Sequence, residues 1–270
     1  MLWMIGVFLL LRKVFYNCTI FIKIMKLISL NLWGGRIYGP LVHFINEHSN
    51  NVDIFCFQEI YHNATNKMSE ESRNPRLNLF TELQQLLLGY NAFFRPVIKD
   101  IYGISIFVKK NILVLKEGEI IIHTNPDYPG YGGNHSRNLQ WMDCKLKGKV
   151  YSILNVHGLW NGKGKTDTTA RILQSQRIKK FMSTIHNPII LCGDFNLHPK
   201  TESLKMLDEN MVNLIKTHNI TSTRSHYYPK EEKFADFSQK QVQVYNPPSA
   251  ISNSKPELAR QVNGKTLEQR

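Results

Sequence analysis

Four short apolar runs end in the same manner, and that shared ending limits what the chain can fold into more than any other feature. LISLN closes on Asn31, DIFCFQE on Glu59, SILNVH on His157, and IILCGDFN on Asp194 and Asn196. Each run has the length of a buried strand rather than of a helix. Further strand-like runs are YNAFFRP, YGISIFV, ILVLKEGEIII and LQWMDCKL. Amphipathic stretches lie among them. GPLVHFINEHS sets Leu41, Phe44 and Ile45 on one helical face, and NLFTELQQLLLGY and KTESLKML read as helices. TDTTARILQSQRIKKFMSTI opens with Thr/Asp capping chemistry and spaces Ile172, Ile178 and Phe181 as a helix would. Strands joined partly to one another and partly through helices predict mixed sheets covered by helices in one domain.

The polar endings carry the chemistry. In α/β sheets, groups just past strand ends gather in one crevice, where ligands bind. Taken singly, a Glu after a strand is usually solvated and a His is usually a satisfied core group, but the same ending on four strands is hard to dismiss. Glu59, Asp194, Asn31 and Asn196 offer hard oxygen donors, suited to Mg²⁺ (or Mn²⁺) rather than to zinc. His157 can donate a hydrogen bond to a phosphate oxygen as charge builds there. Asp194 and Asn196 point to the same side if the backbone stays extended, because strand periodicity is two. Together the set reads as metal-assisted hydrolysis of a phosphoester. Lys163 and Lys165, in a loop just after His157, and Arg137, before LQWMDCKL, are expected at the substrate's phosphates; Tyr128 and Tyr131 could stack on a base. A solvated loop is the plain alternative for the lysines.

Composition agrees with this reading. A chain of 270 residues that is 42% hydrophobic and 20% charged can bury a large core, which excludes disorder throughout. Its net charge of +13 suits a polyanionic partner, although a surface charged for solubility would look the same. Cys18, Cys56, Cys144 and Cys192 are too scattered for a disulfide framework or a zinc site, which favours a reducing compartment.

The order SLNLWGG, FCFQEI, YGISIF, NVHGLW, LCGDFNLHP and FADF, over about Met25 to Phe237, resembles the endonuclease/exonuclease/phosphatase superfamily. That resemblance implies a four-layer α/β sandwich, with two mixed β-sheets flanked by helices. It implies that Asn31 and Glu59 form the metal site, with Glu59 the direct ligand, and that His157 contacts phosphate. Asp194 would position or activate water, Asn196 would bind substrate, and Asp236 would support a catalytic histidine. The expected partner is a phosphate ester, nucleic acid first, acted on by a cytoplasmic monomer. A sphingomyelinase, an inositol-phosphate phosphatase and a non-catalytic binding protein stay open, as does membrane contact.

The two ends depart from this pattern. Residues 1–24 are apolar but broken by Arg12 and Lys13, a poor signal peptide; they read as an extension upstream of a start at Met25, with an anchor or leader as alternatives. Residues 238–270 are rich in Gln, Asn, Ser, Pro and Lys and read as a disordered tail. The resemblance implies a last strand followed by Ser-Asp-His, yet residues 237–270 contain no Asp and no His, as a frameshift or truncation would leave them. Weak or absent hydrolytic activity is therefore expected.

Overall fold

The computed structural model describes residues 3–8, 25–65, 75–130, 132–220, 222–223 and 243–245, with the backbone alone for 3–8 and 243–245. One sheet contains β1 (Trp3–Phe8), β2 (Lys26–Asn31), β3 (Ile54–Tyr61), β4 (Tyr90–Ile98) and β5 (Tyr102–Lys109), in the order β1-β2-β3-β5-β4. The other contains β6 (Leu113–His123), β7 (Arg137–Leu146), β8 (Lys149–His157), β9 (Ile189–Asp194), β10 (Val212–Asn213) and β11 (Gln243–Tyr245), in the order β10-β11-β9-β8-β7-β6. Both sheets are mixed: β2 runs parallel to β3 and β8 parallel to β9, and the other pairings are antiparallel.

Period-two alternation sorts each central strand between two cores. On β2 and β3, Ile28, Leu30, Phe55 and Phe57 turn outward onto α1 (Tyr38–Ser49) and α2 (Leu79–Leu86), where Leu41, Phe44, Ile45, Leu79 and Leu83 meet them. On β8 and β9, Leu154, Val156, Ile189 and Leu191 turn outward onto α3 (Thr169–Met182) and α4 (Glu202–Asp208). The intervening residues Leu27, Ile54, Cys56, Ile153, Ile190 and Cys192 pack sheet against sheet. The result is the expected four-layer α/β sandwich. Among the described residues no helix is long and apolar enough to cross a membrane.

Two segments set apart in the sequence carry strand pairings, and a third point concerns the face of one helix. Trp3–Phe8, in the stretch read as an upstream extension, pairs antiparallel with β2. Gln243–Tyr245, in the stretch read as a disordered tail, pairs with both β9 and β10, the backbone of a strand completing an otherwise unfilled sheet position. The rest of both segments lies outside the described residues. Third, the buried face of α3 is Arg171, Gln174, Ser175 and Ile178, while Ile172 and Phe181 are only half-buried. The helix is capped as its Thr/Asp opening predicts, with the Thr168 side chain accepting from the Arg171 backbone N–H. Its inward stripe is largely polar because Arg171 serves the loop after β8: its Nε donates to Leu159 O at 3.2 Å and an Nη to Thr166 O at 2.6 Å.

Candidate active site

The alternation that packs the sheets together also aims the site. Continuing the inter-sheet positions of β2, β8 and β9 by two residues reaches Asn31, His157 and Asp194 at the carboxyl ends of three strands. His157 and Asp194 face each other in the parallel register of β8 and β9. Glu59 breaks the rule. Alternation would send it toward α2, since its neighbour Gln58 faces the other sheet. The register of β3 against β5 slips between Phe57 and Ile60, and Glu59 adopts a left-handed φ of 59°. Such a bulge re-aims a side chain, and here it brings Glu59 to the other three.

Asn31 holds the group together. Its Nδ2 donates to Glu59 Oε1 at 2.8 Å and to Asp194 Oδ2 at 2.9 Å. The Trp33 backbone N–H donates to Asn31 Oδ1 at 2.9 Å, which fixes which way the amide faces. Two carboxylates thus share one donor. His157 Nε2 lies 3.6 Å from the same Glu59 Oε1. Asn31, His157 and Asp194 are buried at 1%, 5% and 3% exposure, whereas the Glu59 side chain keeps 25%. Of the two carboxylates, Glu59 is therefore the one that solvent reaches.

Asn196 is placed otherwise than an extended GDFN would place it. β9 ends at Asp194, and Asn196 takes a left-handed φ of 53°, a conformation asparagine tolerates. Its N–H donates to Asp194 Oδ1 at 3.1 Å and its Nδ2 to Gly158 O at 3.1 Å. It closes a turn around Asp194 and ties that turn to the residue after His157. Lys163 is exposed in the loop beyond Gly158. Lys165 is buried, and its carbonyl accepts from the His198 N–H at 2.7 Å, joining that loop to the segment after Asn196. Asp236 lies outside the described residues, as does Tyr131.

Arg137 is the expectation the structure moves most. Only 2% exposed, it stands behind His157 rather than at an open surface: an Nη lies 2.9 Å from His157 Nδ1, and the other donates to Gly133 O at 2.7 Å. Around it are Tyr102, Tyr128 and His135, whose ring centre is 5.3 Å from that of Tyr102 and 6.5 Å from that of His157. Burial, then Glu59, raises the Tyr61 phenol to about 12 and moves Tyr102 the same way, so both keep their protons as donors.

A second polar layer lies one step deeper. Gln58 Nε2 donates to Asn155 Oδ1 at 2.7 Å and to Ser29 Oγ at 3.2 Å; Asn155 Nδ2 donates to Phe57 O and Ser105 O across the sheets. This bridge ties the half of the site on β2 and β3 to the half on β8 and β9. The sequence held a signal for it, since Ser29 and Asn155 each precede a site residue by one strand period.

His135 supplies a test of the electrostatics. Its Nδ1 donates to Ser136 O at 2.7 Å, and burial, reinforced by the Arg137 charge, lowers its pKa from 6.5 to about 3. The unfolded chain therefore takes up the proton first as pH falls. The stability due to neutral His135 is complete above pH 6.5 and is lost between there and about pH 3, at up to about 1.4 kcal/mol per pH unit. Burial lowers His123 and His198 in the same direction. His135→Gln keeps a donor and removes this titration, so its unfolding free energy in urea should fall less steeply between pH 6.5 and about 4.5. Parallel slopes for variant and parent would refute the buried neutral imidazole.

Among the described residues no group of three or more His, Cys, Asp and Glu is arranged to hold a metal. The ligands on offer here are two carboxylates held by an amide whose N–H groups face them, which fits a cation of the Mg²⁺ type: such ions bind through one or two carboxylates and keep several waters.

The mannosyl-6-phosphatase of Bacteroides thetaiotaomicron superposes at a TM-score of 0.57 and 19% identity, covering 80% of this chain and 78% of that one. TDP2 from D. rerio, complexed with a single-strand DNA product, gives 0.58 at 14% identity over 84% and 86%. An endonuclease/exonuclease/phosphatase from Bacteroides vulgatus gives 0.55 at 21% identity over 76% and 77%. At such identities the likeness is one of fold. No curated protein matches the sequence. The model of the Endonuclease/Exonuclease/phosphatase family matches residues 28–248, from the third residue of β2 to just past β11, and the chain belongs to that family.

Proposed function

We propose that the chain is a divalent-metal-dependent phosphoester hydrolase acting on nucleic acid as a cytoplasmic monomer. The observation that carries this reading is the sharing of one amide donor, Asn31 Nδ2, by two carboxylates beside an imidazole. Glu59 and Asp194 would hold Mg²⁺ or Mn²⁺, which when bound supplies neutralisation of charge on the phosphate oxygens, and Asn31, whose Nδ2 faces both carboxylates, would orient them rather than ligate. His157 donates a hydrogen bond from Nε2 to a phosphate oxygen. Asp194, fixed by Asn31 and by the Asn196 N–H, orients a water and accepts its proton. Lys163, exposed in the loop after His157, attracts the polyanion, and the net charge of +13 supports nucleic acid as that polyanion. So does the DNA product bound to TDP2, while the mannosyl-6-phosphatase keeps a phosphomonoester as the second reading.

Plasmid DNA, single-stranded DNA, abasic-site duplex, mannose 6-phosphate, inositol phosphates and sphingomyelin, each with Mg²⁺, Mn²⁺ or EDTA, form the decisive panel. The expected result is cleavage of a nucleic acid, abolished by EDTA. Cleavage of a monoester alone would shift the substrate class. No metal-dependent cleavage of any substrate would overturn the function.

A further inference from the structure

Arg137 was expected at the substrate and instead addresses His157. A guanidinium carries only donors and stays charged. Its nitrogen, 2.9 Å from His157 Nδ1, can therefore make a hydrogen bond only if Nδ1 offers a lone pair. The single proton of the neutral ring then sits on Nε2, the atom 3.6 Å from Glu59 Oε1. Which ring nitrogen is protonated follows from the bond the other one makes. Arg137 is itself fixed: its second Nη is anchored on Gly133 O, and Gly133 is pressed against Trp160, where even a Cβ would come within 2.4 Å of the indole. Burial lowers its pKa, and Tyr102, Glu59 and Asp194 oppose that shift by favouring the charged form.

We propose that Arg137 is a positioning residue that locks His157 as the Nε2–H tautomer, making the imidazole a hydrogen-bond donor toward Glu59 and phosphate and barring it from acting as the base through Nδ1. The catalytic consequence rests on the hydrolase reading above; the tautomer does not. Arg137, Glu59 and His135 lie against the ring, and Asp194 is its register partner on β9.

Nitrogen-15 NMR of the full chain, metal-free at neutral pH, reads the tautomer directly, with the His157 signals identified by their loss in His157→Gln. The expected spectrum shows protonated Nε2 and bare Nδ1. Arg137→Lys, which can also only donate, should preserve it; Arg137→Met should give a mixture of tautomers. In turnover, Arg137→Met should lower kcat about 10- to 100-fold, the usual cost of losing a residue that orients a catalytic ligand, while KM stays near the parent value. A proton on Nδ1 in the parent would overturn the proposal, as would a tautomer ratio unchanged in Arg137→Met. A rise in KM at constant kcat would return Arg137 to substrate binding. Should Arg137→Met fail to fold, the parent and Arg137→Lys spectra still decide the tautomer. Absence of turnover in every variant, with the Nε2–H form intact, would reject the hydrolase reading and leave the lock standing.

Discussion

Gly193→Ala should cost about 3–5 kcal/mol of stability, the range reached when a substitution strains backbone that has nowhere to move. Gly193 has a φ of 140°, and a Cβ there would lie 1.9 Å from Val156 O and 2.8 Å from Val156 N. Both atoms are backbone of β8, so no rotamer can relieve the clash and the strands must part. Gly158 makes the reciprocal approach: its Cβ would meet Phe195 O at 2.2 Å, and its N–H donates to Asp194 O at 2.6 Å. One glycine from each side of the junction lets the ends of β8 and β9 close together. Parting them moves Asp194 away from Asn31, so stability and metal binding should fall together. Gly164→Ala is the comparison: its φ is 66°, with nothing within 4 Å of a Cβ, so only the left-handed strain of about 1 kcal/mol is paid. Urea unfolding of the three proteins measures this. Equal losses in Gly193→Ala and Gly164→Ala would show that strand closure is not what fixes the site.

What could be read in advance divides along the same physical line. Asn31, His157 and Asp194 were legible because period-two alternation, which buries Leu27, Ile153 and Ile190 between the sheets, continues unbroken to them. Glu59 was legible as a residue type but not as an orientation, since its aim depends on a bulge in β3 that no local periodicity encodes. Asn196 fails for the matching reason: extended backbone was assumed, and a left-handed turn stands there. Arg137 looked like a surface cation because its burial is set by a histidine on the next strand and a carbonyl in the preceding loop. The inward face of α3 was hidden because Arg171 and Gln174 spend their donors and acceptors on the loop after His157 rather than on an apolar stripe. β11, three residues long, offers too little pattern for alternation to register.

Glu59→Gln should have effects of opposite sign with and without metal. Without metal, Glu59 and Asp194 are like charges bonded to one amide nitrogen, so their oxygens cannot be farther apart than the sum of those two hydrogen bonds. Repulsion at that range destabilises the fold, and neutral Gln, whose carbonyl can still accept from Asn31, should raise stability by about 0.5–1 kcal/mol, as functional carboxylates often allow. With Mg²⁺ at about 100 times its dissociation constant the parent should gain about 2.7 kcal/mol by mass action, and the variant should gain little. The two melting curves should therefore change order when Mg²⁺ is added. Metal-dependent cleavage should fall about 10³-fold, near 4 kcal/mol in the barrier, because charge on the phosphate is no longer neutralised. A carboxylate that merely braced the fold would behave differently, leaving the variant less stable by the same amount in Mg²⁺ and in EDTA. Thermal melts of both proteins in the two buffers separate these outcomes, and they do so even if turnover is too slow to follow.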